Sequence, residues 1–545
     1  MVIRLTKSDL SDELGSFEIK NKDLLGRIGD LTTKSGKIET PCLFPVINPT
    51  TQLLSVDEIS KELGCNAIMT NAYLLKKKIG DFHPKKRVHD LLEFDGVIFT
   101  DSGAYQMLTY GSVEVEPLEI IKFEEDIGSD LAVILDIPTG VGKGREKAEW
   151  SVNETLKRAD ESLENIKRKD ILWVGPVQGG TFLDLVEHCA KEMSKKPFDL
   201  YALGSPTKVM ESYDFKTLFE MIFKAKKHLP VEKPFHLFGA GHPFMFSMAV
   251  AAGCDSFDSA SYAIYARNGR YLTPSGTIRL ENLKYFPCLC PVCIKFTPKE
   301  LQELSESERI KLLSKHNLYA CLEEINRIKE AIFEGRLWEL IEIRAKSHPR
   351  LFEALMSFEN YKEMIVSFSQ STKRFGIFYF GRQSSLRPEV VSYRRKIIEI
   401  YRPPSNYKSI LLMPSPKDKP YHRNKFIKSF TDNFESDFHI CFYTIPYGIV
   451  PIEIDDMFPL SQTETAKTYD SKTIDEIIEI ITDYLKTNNY DELILHADES
   501  IFTKNRLDKI EKICDIKNIK FKLSYLGKEV WDQEALDKLK RILGS

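Results

Sequence analysis

Three cysteines and one histidine in this sequence have the chemistry and the spacing of metal ligands. Cys288, Cys290 and Cys293 form the pattern C-x-C-x2-C, and His316 follows after 22 intervening residues. Three thiolates and one imidazole complete a tetrahedral zinc site that leaves no position for water, so such a site is structural. We therefore predict one structural Zn²⁺ per chain. The alternative is a group of buried thiols beside an ordinary surface histidine.

Two aspartates in separate segments suggest a second kind of chemistry. Asp101 lies in TDSGAYQ and Asp258 in SFDSASY. Cleavage of an N-glycosidic bond passes through an oxocarbenium-like centre, which one carboxylate can attack while a second group moves protons on the base. Asp-Ser dipeptides also cap helices after strands, so these two residues alone leave both interpretations open.

A repeated pattern of apolar runs and helical stretches must position these residues. Continuous apolar strands that alternate with amphipathic helices are typical of a parallel sheet buried on both faces. About eight such units predict a (β/α)8 TIM-type barrel, and no dinucleotide-binding fingerprint follows the first run. The runs are residues 42–49, 66–72, 96–103, 131–138, 171–180, 199–206, 235–243 and 254–260.

Most of these runs end in polar or small residues. Because the active sites of such barrels lie at the carboxyl ends of the strands, we expect these residues to face one mouth. They are Asp101, Asp136, Gln178, Gly204, Gly239 and Asp258.

The chain is too long for one hydrophobic core, so several domains are expected. We predict a catalytic barrel with a zinc-binding insertion over residues 1–365 and a basic, aromatic connecting segment over 366–408. A second, smaller α/β domain is predicted over 409–545. The charged start of the chain and the lack of long apolar runs predict a cytoplasmic protein without a membrane span.

Charge is strongly polarised in the second half of the chain. Residues 371–430 contain 14 Lys and Arg against 3 Asp and Glu, whereas residues 431–500 contain 3 against 16. A cationic stretch with interleaved aromatic residues is typical of a nucleic-acid contact. The alternative is a solvated surface with a local core.

Several ordered motifs together resemble the tRNA-guanine transglycosylases, and in particular their archaeal branch. The motifs are TDSGAYQ, VQGGT, YALGS, FGAGHP, FDSASYAIYARNGRYLTP and CLCPVC with its distant histidine. The resemblance extends over about the first 365 residues, and GRQSSLRPEVVSYR resembles the start of the archaeal C-terminal extension.

The resemblance implies a role for each matching residue. Asp258 would be the nucleophile that attacks C1′ of the target nucleotide, and Asp101 the general acid and base. Arg267 and Arg270 in ARNGR would help to hold tRNA, although a solvated loop is the alternative there. The residues implied to bind or enclose the base are Asp136, Gln178, Gly204, Ser102 and Gly103.

The resemblance also implies a reaction and its partners. Archaeal members exchange guanine at position 15 of the tRNA D-loop for 7-cyano-7-deazaguanine (preQ0), a step towards archaeosine. We therefore expect tRNA, guanine and the nitrile base as ligands and a homodimer as the assembly.

One departure from the family pattern and one related paralogue leave alternatives open. No run of short strands typical of a PUA domain is visible near the C-terminus, so a separate PUA-domain protein is a possible partner. A paralogue, archaeosine synthase, has a Cys, a Ser and a His around its K-P-Y motif. Here Ser415, Asn424 and Ile427 stand in those places, which favours the transglycosylase. The alternative function is a non-catalytic tRNA-binding paralogue or an archaeosine synthase-like protein.

Overall fold

The computed structural model describes residues 14–79, 86–104, 116–140, 142, 144–434, 438–466 and 469–543. The chain divides into two compact units, Met1–Ser369 and Gln370–Ser545. In the part of the chain that the structure describes, none of the helices combines the length and the apolar composition of a membrane span.

A three-stranded antiparallel sheet precedes the barrel in unit 1. It consists of β1 (Phe17–Asp23), β2 (Gly26–Thr33) and β3 (Gly36–Thr40). Leu31 and Ile38 belong to the same core cluster as Leu131 and Leu172, which are the first residues of two barrel strands. The small sheet therefore packs at the amino end of the barrel.

The predicted barrel is confirmed. Eight parallel strands follow one another in chain order around the sheet, and a bridge between Val46 and Met69 joins the first to the second. The strands are β4 (Cys42–Pro45), β5 (Ala67–Asn71), β6 (Val97–Asp101), β7 (Leu131–Val133), β8 (Leu172–Val177), β9 (Leu200–Leu203), β10 (Phe235–Leu237) and β11 (Ser256–Ser259). Their side chains are almost all buried, as expected for strands covered on both faces.

Helices connect these strands. Several begin with proline, whose fixed φ suits the first turn, or end at a glycine with positive φ, such as Gly128. They are α1 (Ala72–Ile79), α2 (Val88–Leu92), α3 (Pro117–Ile127), α4 (Arg145–Asn165), α5 (Leu183–Met193), α6 (Thr207–Glu211), α7 (Phe215–Lys226), α8 (Pro243–Ala251) and α9 (Ser261–Arg267).

A hairpin and a helical layer complete unit 1. The hairpin pairs β12 (Arg270–Thr273) with β13 (Gly276–Arg279). The long helix begins at the cap Ser305 and ends at Gly335. The helices are α10 (Pro291–Lys295), α11 (Pro298–Glu303), α12 (Glu306–Glu334), α13 (Leu337–Ala345), α14 (Pro349–Ser357) and α15 (Lys362–Phe368).

Unit 2 is a smaller α/β domain with its own core. A five-stranded sheet has the order β17-β16-β15-β19-β20, in which only β17 is antiparallel, and β14 pairs with β18. Its elements are β14 (Ile377–Tyr379), α16 (Pro388–Glu399), β15 (Ser409–Pro414), α17 (Lys425–Phe434), β16 (Phe438–Thr444), β17 (Gly448–Pro451), β18 (Thr463–Thr465), α18 (Ser471–Thr487), β19 (Glu492–Asp498), α19 (Lys504–Lys517), β20 (Lys520–Gly527) and α20 (Gln533–Leu543).

Most of the stretch 366–408, predicted as a connecting segment, belongs to unit 2 and contributes to its core. Tyr379 and Tyr393 are buried in that core, and the Tyr393 hydroxyl donates to the Ile449 carbonyl at 2.7 Å. These two aromatic residues of the predicted nucleic-acid contact therefore pack inside the protein, because β14 and α16 use them to cover the sheet, whereas Phe375 and Phe380 are exposed.

Candidate active site and metal cluster

One cavity of about 650 Å³ opens at the carboxyl ends of the barrel strands. Its wall combines polar strand ends with apolar residues such as Met69 and Phe238. All six polar or small strand-end residues of the sequence analysis line it: Asp101, Asp136, Gln178, Gly204, Gly239 and Asp258.

Asp258 is held at the cavity wall by two donors. It lies in β11 and its carboxylate Oδ1 accepts from the Gly239 backbone N–H at 2.7 Å and from His236 Nε2 at 3.1 Å. His236 is fully buried, and its Nδ1 lies 2.8 Å from the Ser256 hydroxyl. When the Ser256 hydroxyl donates to Nδ1, the ring proton of His236 lies on Nε2, and this N–H donates to the Asp258 carboxylate. Both hydrogen bonds go to Oδ1 of Asp258, so Oδ2 takes part in neither of them.

Asp101 ends β6, beside two other carboxyl groups. Its pKa is raised from 3.8 to about 7, first by burial and then by the charges of Asp258 and Asp136. The side-chain amide of Asn71 donates to Asp101 Oδ2 at 2.7 Å, and the Gly103 backbone N–H also favours the charged form. Near neutral pH the Asp101 carboxyl can therefore both give and accept a proton.

Asp136 and Gln178 form a fixed pair in the cavity wall. The Gln178 amide nitrogen donates to Asp136 Oδ2, while its oxygen accepts from the Ser205 hydroxyl at 2.9 Å and from the Thr139 N–H and hydroxyl at 3.2 Å. These bonds assign the amide orientation. Burial raises the pKa of Asp136 to about 6, and the bond from Gln178 opposes that shift.

Gly204 makes room for this pair. A Cβ atom at Gly204 would lie 2.2 Å from Gln178 Nε2, a distance that atoms do not reach without displacement. The Gly204 N–H donates to the Val177 carbonyl at 2.8 Å. Gly204 therefore contributes space for Gln178, with its own amide already used by the barrel.

The remaining predicted residues lie at different places. Among the described residues, Ser102 and Gly103 are not in the cavity wall; Ser102 is fully buried and Gly103 has φ +93°. Arg267, at the end of α9, lines the cavity. Arg270 lies on the hairpin, where Nη1 donates to the Thr277 hydroxyl at 2.8 Å. Tyr105, the aromatic residue of TDSGAYQ, lies outside the described residues.

Sequence reasoning missed the residues that orient the carboxyl groups. His236 contacts Asp258 because β10 and β11 are neighbours, with His236 opposite Ser256 in the register. Asn71 contacts Asp101 in the same way, because these two residues are opposite each other on β5 and β6. A polar residue inside an apolar run was the only available signal.

Cys288, Cys290, Cys293 and His316 converge outside the barrel. Their ligand atoms lie within 4.8 Å of one another, and His316 Nδ1 is 3.5 and 3.4 Å from the sulfurs of Cys290 and Cys293. A tetrahedral zinc ion with the usual bond lengths would separate sulfur and nitrogen by about 3.6 Å. The donor set and its spacing therefore fit a metal ion.

The surroundings of His316 orient its ring. His316 Nε2 donates to the Leu272 carbonyl at 2.9 Å, which leaves the lone pair of Nδ1 towards the thiols. The Tyr271 ring stacks on the imidazole with centroids 3.6 Å apart. The next residue, Asn317, accepts from the Leu272 N–H at 2.8 Å and donates to the carbonyls of Tyr262 and Arg270.

Comparison with known proteins agrees with this architecture. The Queuine tRNA-ribosyltransferase family matches residues 22–350, and a domain of unknown function (DUF5591) matches residues 390–543. A Methanocaldococcus jannaschii protein named tRNA-guanine(15) transglycosylase is 42% identical over 96% of this chain and 80% of its own length.

Two further archaeal relatives have the same name. The protein from Methanococcus aeolicus is 43% identical over 88% of this chain and 73% of its own length. The protein from Sulfolobus acidocaldarius is 40% identical over 89% of this chain and 97% of its own length. Because the first family match covers more than half of the chain and these relatives match most of it, the chain belongs to the queuine tRNA-ribosyltransferase family of transglycosylase enzymes.

Proposed function

We propose that this protein exchanges guanine at position 15 of the tRNA D-loop for 7-cyano-7-deazaguanine, through a covalent aspartyl-ribose intermediate. The position is that in the names of its archaeal relatives, and the nitrile base and archaeosine pathway follow the motif resemblance. The observation that carries the proposal is the cavity in which Asp258 and Asp101 lie together with the Asp136–Gln178 pair.

In the first half-reaction, the free oxygen of Asp258 attacks C1′ of the ribose. The C1′–O bond forms as the C1′–N9 bond breaks, and the electron pair of that bond goes to the base. Protonated Asp101 gives its proton to the departing guanine, which its raised pKa allows near neutral pH. Hydrogen bonds from Gly239 and His236 hold the nucleophilic carboxylate in place.

The second half-reaction reverses these steps with the incoming base. The Asp101 carboxylate takes a proton from the base as its ring nitrogen attacks C1′, and the Asp258 carboxylate leaves. Ionised Asp136 accepts from the N–H groups on one edge of either base, and the second amide proton of Gln178 is available to an acceptor such as O6. The apolar part of the wall limits access of water, which would otherwise hydrolyse the intermediate.

For the metal cluster we propose a structural Zn²⁺, since three thiolates and one imidazole suit that ion. When bound, the ion would cross-link the segment around Cys288–Cys293 to α12. Homodimer formation, and tRNA contact by Arg267 and Arg270, are proposed by resemblance to the family.

The proposed chemistry is tested by trapping the intermediate. Wild-type protein and unmodified tRNA, with the nitrile base present, should give a protein–RNA band on denaturing gels and incorporate the base. Asp258→Asn and Asp258→Ala should give no band while still binding tRNA. A band of undiminished intensity with Asp258→Ala would show that Asp258 is not the nucleophile. Absence of exchange by the wild type would favour the non-catalytic alternative.

A further inference from the structure

The cations of the basic stretch 371–430 differ in what they contact within unit 2. Nearer its start, several are used inside the domain. Lys373 and Arg387 pair with the buried Glu389 at 2.6 and 3.2 Å, and Arg394 pairs with Glu476 at 3.0 Å. The charges of these cations are neutralised by ion pairs within the domain.

Near the end of the stretch, four cations have no such partner among the described residues, whereas Lys419 is half-buried and donates to the Thr463 carbonyl. The side chains of Lys417, Arg423, Lys425 and Lys428 are exposed and form no ion pair within 4 Å with any residue that the structure describes. The segment 417–428 contains one acidic residue, Asp418. We call this segment the 417–428 surface. Its excess of positive charge remains unneutralised by the rest of the described unit.

The 417–428 surface lies after the end of a central strand, a place where ligands commonly bind in open α/β sheets. The chain runs from the central strand β15 to β16 on one side and later returns to β19 on the other side of β15. In open α/β sheets, ligands bind outside the carboxyl ends of the strands at such a reversal. The 417–428 surface follows the carboxyl end of β15, which ends at Pro414.

The 417–428 surface is held in shape by buried groups. Tyr421 is buried, and the carboxylate of buried Asp455 accepts from the His422 N–H at 2.7 Å and from its Nδ1 at 2.6 Å. Asn424 accepts from the Phe426 N–H at 3.0 Å at the start of α17. The helix terminus is thus already capped, so the charge offered to a ligand is that of the four side chains.

We propose that the 417–428 surface binds backbone phosphates of the tRNA substrate. The inference rests on the proposed function, because a tRNA substrate is the polyanion that such a surface would meet. Four exposed cations on an anchored segment suit phosphate oxygens, whose contacts do not depend on sequence. The surface would therefore add affinity for RNA without taking part in base exchange.

The test is the salt dependence of tRNA binding by the full chain. In one variant Lys417, Arg423, Lys425 and Lys428 are all changed to Gln. Loss of four phosphate contacts should reduce the slope of log K against log salt by about 3. At about 0.1 M salt, the Kd for unmodified tRNA should rise roughly 10- to 100-fold.

A control variant matches the change in charge elsewhere in unit 2. Lys472, Lys504, Lys509 and Lys512 are also exposed, and their change to Gln should alter the Kd less than about twofold. Circular dichroism should show that both variants are folded. An unchanged Kd and salt slope in the 417–428 variant, or an equal loss in the control, would overturn the proposal.

Measuring the rate of base exchange separates the phosphate-binding proposal from the proposed catalytic function. At saturating tRNA, the 417–428 variant should exchange base at the wild-type rate, with the defect confined to KM. Asp258→Asn should bind tRNA with the wild-type salt slope and exchange nothing. If the wild type does not exchange guanine but the 417–428 variant still loses tRNA affinity, the catalytic proposal fails and the phosphate surface stands.

Discussion

Two carboxyl groups with displaced pKa values lie in the barrel cavity and are suited to different tasks. The pKa of Asp101 is raised to about 7 by burial and by neighbouring charges, so this group exchanges protons near neutral pH. Burial raises the pKa of Asp136 less, to about 6, because Gln178 donates to it. Asp136 therefore stays ionised at a pH where Asp101 still holds a proton.

The pH dependence of adduct formation should reflect both groups. Below about pH 6, protonated Asp136 cannot accept from guanine, and above about pH 7, ionised Asp101 cannot protonate the departing base. The rate with limiting tRNA should therefore be bell-shaped, falling about tenfold per pH unit beyond each limb. Quenched single-turnover reactions between pH 5 and 9 measure it. A flat profile would contradict the assignment.

Asp136→Asn serves as the control for this profile. The variant should lose the acidic limb, since no carboxyl group remains to be protonated at that position. Its alkaline limb should move to lower pH, because the charge of Asp136 no longer raises the pKa of Asp101.

Gly204→Ala should weaken binding of the base with little effect on folding. The added methyl group would displace Gln178, and Asp136 would lose its donor. A hydrogen bond to a charged group contributes about 1.5–3 kcal/mol, so KM for the base should rise roughly 10- to 100-fold. Steady-state exchange of labelled guanine measures this. Gly144→Ala, where a Cβ meets nothing within 4 Å, should behave as wild type.

The sequence pointed to the polar residues at the strand ends but not to the residues that hydrogen-bond to them. Asp101, Asp136, Gln178 and Asp258 stand out because each ends or follows an apolar run. His236 does not, since a buried histidine within a run is also an ordinary core residue. Its role depends on which strand lies beside it, and that information exists only in the closed barrel.

At the level of elements, apolar runs located the barrel strands but not the antiparallel pieces. Each predicted run contains a strand, because strands buried on both faces need continuous apolar residues. The strand β1 is mostly exposed and reads FEIKNKD, and the short hairpin β12–β13 is bounded by polar residues. Neither has the periodicity that identifies a strand in a sequence.

Removal of the proposed Zn²⁺ should destabilise the α10–α12 region more than the barrel. Chelation of the cluster should lower the thermal midpoint by roughly 5 °C or more, since structural metal sites contribute directly to folding. Amide exchange should quicken around Cys288–Cys293 and His316, whereas the barrel strands should remain protected. Metal analysis should find one Zn²⁺ per chain.

Cysteine substitutions provide the matched comparison for the metal. Cys290→Ser should reduce metal content and reproduce the effect of chelation. Cys42→Ser, which changes a thiol outside the cluster, should keep the full metal content. Equal metal loss in both variants would show that the cluster is not the binding site.

At the level of the whole molecule, the chain consists of two units with separate cores. The core of unit 2 is built around the sheet of β15 and its neighbours and includes residues from Tyr379 to Leu539. The smaller α/β domain was predicted over residues 409–545, and within it HICFYTIPYGIVP forms a hairpin of β16 and β17. A tight turn between two apolar runs is hard to distinguish from one long run.

Unit 2 should fold without unit 1. A fragment covering residues 370–545 should unfold in one cooperative thermal transition, with a stability of about 5–15 kcal/mol, because its core and sheet are complete within it. The far-ultraviolet and near-ultraviolet circular dichroism signals should be lost at the same temperature. Binding of a hydrophobic dye by the native fragment, with a gradual melt, would show that it needs the rest of the chain.

The adjacency of His316 and Asn317 on α12 has a consequence for how the enzyme tolerates mutation. One residue faces the thiols, and the other fixes the backbone of Tyr262, Arg270 and Leu272, just after the strand that carries Asp258. A rotation of this single helical turn would move both at once. A change in the Cys288–His316 cluster should therefore also shift the backbone of Arg270, one of the two residues proposed to hold tRNA.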